Sequence, residues 1–126
     1  MNIEQIRDYC LKLGPVTESF PFDDTTLVFK VHNKMFALIT LKGPIRINLK
    51  CDPEYAITLR EEYDFVIPGY HMNKKHWNTV ILDGSIPVGE IERMIDHSYA
   101  LIVKGLKKIE RQSLELRHGQ AALYKK

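Results

Sequence analysis

The chain has 126 residues, 44% of them hydrophobic and 27% charged, which is typical of one folded domain with a single core and excludes disordered and fibrous classes. No stretch approaches the roughly 20 consecutive apolar residues that a membrane helix needs. The formal net charge of +2 is uneven: residues 104–126 have a local charge of +5, whereas residues 1–103 carry −3. Nucleic-acid affinity depends largely on neutralisation of phosphates by Lys and Arg, of which residues 1–103 have no excess. Any such binding is therefore expected to be local or to use the C-terminal end.

The first residues and the cysteines predict a cellular location. Residues 1–4 lack the cationic start and apolar run of a signal peptide, which predicts a cytoplasmic protein. Cys10 and Cys51 are the only cysteines, and neither lies in a C-x-x-C arrangement. Two buried, reduced thiols are therefore expected.

Local patterns in the first half of the chain predict one helix and three strands. Apolar residues recur at helical spacing over residues 2–13, and a Gly-Pro pair ends the pattern. Two β-rich runs follow as a tight hairpin, because Asn33 in the short link between them tolerates positive φ. Strict alternation then predicts a half-buried antiparallel strand with one wet face. The three strands span residues 26–31, 35–41 and 45–50.

In the second half, Asp52 and Pro53 start a second helix, because Asp accepts free amide hydrogens and Pro loses no hydrogen bond at the first helical position. Helix 53–62 is followed by strands 63–67 and 77–82. From Pro87 onward, apolar residues recur every three or four positions, which predicts a long third helix that covers one face of the sheet.

The predicted element order is α-β-β-β-α-β-β-α. It indicates an α+β two-layer domain, in which helices pack on an antiparallel sheet of about five strands and the other face is partly exposed. The domain is predicted to span residues 1–107. The helical pattern weakens beyond Lys107, so residues 108–126 are predicted to be a basic extension, either a frayed helix or disordered.

Aromatic, cationic and titratable residues gather in the loop that precedes the last strand. Lysines suit phosphate contact and aromatic rings suit stacking on a base or a flat ligand. The alternative for Trp77 is a structural role: if its side chain points to the inner face of the sheet, it packs in the core. The candidate nucleic-acid or ligand-binding residues, including basic residues near the C-terminus, are Tyr70, His71, Lys74, Lys75, His76, Trp77, Lys107, Lys108 and Arg111.

The sequence completes no catalytic motif. Ser85 and Ser98 lack a G-x-S-x-G elbow, and no glycine-rich phosphate loop occurs. We therefore predict no enzymatic activity, no catalytic residue and no cofactor. His71 and His76 form an alternative metal hypothesis, but metal ligands usually come in sets of three or four, and no metal site is predicted. Acidic residues on and after the second helix suggest iron binding as a further hypothesis. A solvent-exposed helical face explains these residues without iron.

Several strings closely resemble the MmcQ/YjbR family. They are PF at 21–22, VFKV at 28–31, KMFA at 34–37, NLKCDP at 48–53, PGYHMNK at 68–74 and HWNTV at 76–80. The resemblance covers residues 6–111, and the string from 68 to 80 is highly specific. This chain departs from the family pattern at Asn33, where a Gly is usual, and in its basic tail, which runs past the usual end.

The resemblance implies an α+β fold similar to that of type III secretion chaperones and reminiscent of frataxin-like domains. Family members are commonly described as DNA-binding proteins with a double-wing motif. A small non-enzymatic protein that contacts DNA through the loop and the basic C-terminal end is thus predicted. The alternative is a protein-interaction module, or a module for a small flat ligand, without nucleic acid. Neither involves a membrane, and either a monomer or a homodimer is expected.

Overall fold

Four helices and six strands form in residues 1–69 and 72–118, the part of the chain that the computed structural model describes. The N-terminal helix starts with a capping box, in which the side chains of Asn2 and Gln5 each accept the other's backbone N–H. Asp52 caps the second helix by accepting the amide hydrogens of Glu54 and Tyr55. The elements are α1 (Ile3–Lys12), β1 (Val16–Ser19), β2 (Thr26–Val31), β3 (Lys34–Thr40), β4 (Arg46–Lys50), α2 (Pro53–Glu62), β5 (Val66–Pro68), β6 (Trp77–Ile81), α3 (Val88–Lys104) and α4 (Lys108–His118).

The strands form one antiparallel sheet in the order β1-β2-β3-β4-β6-β5. The predicted α+β fold is confirmed, with six strands instead of five. The additional strand, β1, has only four residues and pairs at the edge with β2. A four-residue strand is too short to show a clear alternation of polar and apolar residues, and β1 forms through its pairing with β2. The sequence pattern alone therefore did not reveal it.

The register separates the sheet into two faces. One face packs against α1 and α3 and holds the main core, in which the rings of Phe36 and Tyr99 lie edge-to-face at a centroid separation of 5.1 Å. The opposite face carries Val28, Leu38, Asn48 and Thr79, which the register places opposite one another on neighbouring strands. We call it the open face.

The hairpin between β2 and β3 is tighter than predicted, since only two residues connect the strands. His32 and Asn33 have φ values of 45° and 65°, as a two-residue turn of this handedness requires. The positive φ predicted for Asn33 is thus confirmed, and His32 adopts the same region.

The segment after Lys107 forms α4, whose Leu114 is fully buried in the main core. Glu110 on the same helix lies 3.4 Å from His32 in the β2–β3 hairpin. The first part of the predicted extension is therefore a helix that packs on the domain. Residues 119–126 lie outside the described residues.

Both cysteines are free and buried, as predicted. Burial raises the pKa of Cys10 to about 12, and burial is also the main cause that raises the pKa of Cys51 to about 12. Protonated, inaccessible thiols are poor nucleophiles, so these residues act as small core side chains.

Candidate nucleic-acid interface

The predicted loop connects β5 to β6. Lys74 and Lys75 are exposed, whereas His76 and Trp77 are half-buried. Tyr70 and His71 lie outside the described residues. Lys74 and Lys75 are therefore the exposed basic residues in the described part of this loop.

Backbone hydrogen bonds fix the second half of the loop. Asn73 organises a turn: its side-chain oxygen accepts the Lys75 amide at 3.0 Å, and its carbonyl accepts the Trp77 amide at 2.9 Å. The Gly69 amide donates to the Trp77 carbonyl at 2.8 Å, which closes the base of the loop. The lysine side chains thus project from an ordered backbone.

Arg60 on α2 anchors this turn from the helix side. Its Nε donates to the side-chain oxygen of Asn78 at 2.7 Å. Its Nη2 donates to the carbonyl of Lys74 and, at 3.3 Å, to that of Trp77. The sequence reasoning missed Arg60, although it lies four residues after the buried Ala56 and so shares the inward side of α2.

Trp77 lies on the open face and not in the main core. The β4–β6 register pairs Trp77 with Lys50, and the adjacent pair, Asn78 with Leu49, points toward the helices. Because side chains alternate along a strand, Trp77 shares the open face with Thr79. The core-packing alternative for Trp77 is therefore wrong, and its side chain is partly exposed.

The strand register brings the loop and the β2–β3 hairpin to one end of the sheet. Lys50 ends β4 beside Trp77, and β3 starts at Lys34 next to that end of β4. Two hydrogen bonds of Ser98, a donation to the Phe36 carbonyl at 2.6 Å and an acceptance from the Lys50 amide at 2.9 Å, fix α3 to this end.

The start of α4 reaches the same end through the contact between His32 and Glu110. Lys107 and Lys108 are exposed there, whereas Arg111 is half-buried with its Nε 3.7 Å from Glu115. We call this surface the basic end, and its exposed or half-buried lysines are Lys34, Lys50, Lys74, Lys75, Lys107 and Lys108.

His97 lies behind the basic end, against the start of α2. Its Nε2 accepts the Asp52 amide at 3.1 Å, and its ring lies edge-to-face with Tyr55 at a centroid separation of 4.8 Å. Burial lowers the pKa of His97 from its ordinary value of 6.5; the charge of Asp52 opposes this effect and that of Lys104 adds to it.

We expect this histidine to make the fold less stable as the pH falls below 6.5. The unfolded chain, with the ordinary pKa, binds the proton first, so the contribution of His97 is fully present above that pH and is lost toward the lower folded pKa. His97→Gln removes the titration and keeps an oxygen that can accept the Asp52 amide. Urea unfolding between pH about 5 and about 7.5 should show a flatter pH dependence for the variant; identical pH dependence would contradict the assignment.

The described residues offer little for metal binding. In residues 1–69 and 72–118, no three His, Cys, Asp or Glu side chains group closely enough to hold a metal ion. His71 lies outside these ranges, so its pairing with His76 stays untested. The helices of the described part of the chain also include none long and apolar enough to cross a membrane.

An antiparallel six-stranded sheet with helices on one face and a basic end defines an open-faced α+β domain. The YjbR family model matches residues 11–101, and the chain belongs to this family. The predicted MmcQ/YjbR membership is confirmed.

Relatives in sequence and structure agree with this membership. The uncharacterized protein YjbR of Escherichia coli strain K12 is 34% identical over 115 residues, which cover 90% of this chain and 98% of the relative. The uncharacterized protein YbdF of a second strain of that species is 38% identical over 106 residues, with coverages of 83% and 87%. A crystal structure of a Deinococcus radiodurans protein with a DUF419 domain is 42% identical with a TM-score of 0.84, covering 90% of this chain and 87% of that one. A Pseudomonas syringae crystal structure is 32% identical with a TM-score of 0.72 and coverages of 80% and 98%.

Proposed function

We propose that this protein is a small, non-enzymatic DNA-binding protein that contacts the phosphate backbone through its basic end. The observation that carries the proposal is the convergence of the β5–β6 loop, the β2–β3 hairpin and the start of α4 at one end of the sheet. These elements are separate in the sequence, and each adds at least one exposed lysine. A cluster of this kind suits phosphate contact.

The charge distribution supports a local interface. The first 103 residues are slightly acidic, so attraction to DNA must come from a limited surface. Glu115 lies beside Arg111, which reduces the acidic charge free to repel phosphates. Partly exposed Trp77 adds a ring on the adjoining open face that can stack on an unpaired base.

The proposed setting is the cytoplasm, where Cys10 and Cys51 stay reduced. The proposal assigns no catalytic role to any residue. Among the titratable groups behind the basic end, His97 is engaged in a structural hydrogen bond with the Asp52 amide.

Replacing Lys74 and Lys75 together with Ala is expected to weaken DNA binding by about tenfold, or roughly 0.7 kcal/mol per lysine, as for exposed ion pairs. The slope of log affinity against log salt should fall by about 2, since each lost phosphate contact removes close to one released counterion. Fluorescence anisotropy with labelled duplex DNA at several salt concentrations measures both quantities.

The matched control is Lys42→Ala/Arg93→Ala, which removes the same charge from exposed positions away from the basic end. A Lys125→Ala/Lys126→Ala variant tests the basic tail separately. If DNA affinity fell equally in the loop variant and in the Lys42/Arg93 control, the effect would come from net charge alone, and the loop assignment would be refuted. Absence of binding by the wild type at low salt would refute the function itself.

A further inference from the structure

The open face contains a cavity of about 490 Å³ that the DNA proposal does not use. Leu38 on β3 forms part of its wall, and Phe22, Asp23 and Thr25 from the segment between β1 and β2 line it as well. This segment therefore extends over the open face. The volume lies within the range of small-molecule sites, roughly 300–1,000 Å³.

The two ends of this cavity differ in chemistry. Met35 and Met72, which belongs to the β5–β6 loop, lie at one end, where flexible thioethers can adapt to an apolar body. Lys42 and Arg46 lie at the other end, because Arg46 begins β4 just after the turn that contains Lys42. An apolar end and a cationic end in one cavity suit an amphipathic anion.

Asp23 also lines the cavity, but it is held in its own turn. One carboxylate oxygen accepts the amide hydrogens of Thr25 at 2.9 Å and Thr26 at 2.7 Å. These hydrogen bonds stabilise the carboxylate and lower the pKa of Asp23, so it stays negatively charged. The lining of the cavity has two basic side chains against this one acid, so its formal charge is +1.

Phe22 supplies the preference for a flat ligand. Its side chain is 64% exposed although it is large and apolar, and it stands at the wall of the cavity. An exposed ring beside an apolar surface can cover one face of an aromatic ligand.

We propose that this cavity binds a small aromatic carboxylate. The planar guanidinium of Arg46 and the ammonium of Lys42 receive the carboxylate, and the aromatic body lies along Leu38 between Phe22 and the two methionines. The cationic end of the site, at Lys42 and Arg46, lies at the opposite end of the sheet from the basic end, and the site does not depend on DNA binding.

The test is a titration of the full chain with 2-naphthoate, followed by calorimetry and by NMR of methionine methyl groups. One saturable site is expected, with shifts of the Met35 and Met72 methyl signals. Met94 is buried in the main core and Met1 lies outside this cavity, so these two methionines are internal controls. 2-Naphthamide, which keeps the ring without the charge, and acetate, which keeps the charge without the ring, should each bind at least about tenfold more weakly.

Three variants locate the contacts. Arg46→Gln is expected to weaken 2-naphthoate binding about tenfold and Lys42→Gln about threefold, from the loss of a charge-assisted and a more exposed contact respectively. Phe22→Ser should weaken it about fivefold through lost stacking. Phe22 and Lys42 are exposed, so both of those variants are informative even if Arg46→Gln does not fold.

Lys75→Gln is the matched control for charge, since it lies in the proposed DNA interface and should leave 2-naphthoate affinity unchanged. The inference is overturned if the wild type shows no saturable binding at millimolar 2-naphthoate, if acetate or the amide binds equally well, or if the three cavity variants match the wild type. Failure of DNA binding leaves this titration unaffected, so the two proposals fail separately.

Discussion

Replacing Leu114 with Ala is expected to lower the free energy of unfolding by about 3 kcal/mol, because it removes buried methyl groups and leaves a cavity. Leu114 is fully buried, although it belongs to a segment whose helical pattern is weak in the sequence. Chemical denaturation followed by circular dichroism measures the loss. The expected size identifies α4 as an integral part of the fold.

The same helix offers a matched control. Leu116 is 89% exposed, so Leu116→Ala makes the same chemical change without removing buried contacts. We expect its effect to stay within about 0.5 kcal/mol. If Leu114→Ala were equally mild, α4 would not pack on the core in solution, and its lysines would lose their fixed position at the basic end.

Replacing Arg60 with Ala is expected to cost about 3 kcal/mol, mainly from the two stronger of its three charge-assisted hydrogen bonds, those to Asn78 and to the Lys74 carbonyl, at roughly 1.5 kcal/mol each. Asn78 is only 2% exposed, so its side-chain oxygen would be buried without the Arg60 donor. The carbonyls of Lys74 and Trp77 would lose the guanidinium as well. The β5–β6 loop would then be less ordered in the folded protein.

Two measurements separate these effects. Denaturation reports the total loss of stability, and hydrogen exchange should show faster exchange at the Gly69 and Trp77 amides, whose bonds close the loop. Arg60→Lys keeps the charge but lacks the planar guanidinium that binds Asn78 and the loop carbonyls at the same time. Its loss of stability is therefore expected to lie between those of the wild type and Arg60→Ala.

Arg93→Ala is the control for removing an arginine. Arg93 is an exposed residue on α3 that pairs with Glu90 at 2.6 Å, and exposed pairs of this kind contribute about 0–1 kcal/mol. If Arg60→Ala were no more destabilising than Arg93→Ala, the anchor would be unimportant. Arg60→Ala is also expected to weaken DNA binding, because Lys74 and Lys75 would no longer be held in one orientation.

The success of the sequence predictions depended on how local the signals were. The second helix was correctly bounded because Asp52 accepts two amide hydrogens and Pro53 fits the first helical position. The hairpin at Asn33 was recognised because its positive φ is a local preference. Strand β5 was placed too early, since Tyr63 ends α2 and the strand begins only at Val66.

The candidate site was predicted less completely. The sequence drew attention to Lys74 and Lys75, whose role stays a prediction, but gave no clear sign that Arg60 anchors their loop. These contacts join residues up to 18 positions apart and depend on how α2 packs on the sheet. Nor did it indicate the cavity, which exists only because the segment between β1 and β2 extends over the open face.

By itself, the sequence determined the α+β class, the family, the main strands, the first three helices and the buried state of both cysteines. Alternation, helical periodicity and capping residues act over a few positions, so they can be read along the chain. Only the tertiary structure decided the face on which Trp77 lies, the packing of Leu114 and the meeting of three basic segments at one end. These features depend on strand register and on contacts between distant residues, which local preferences do not specify.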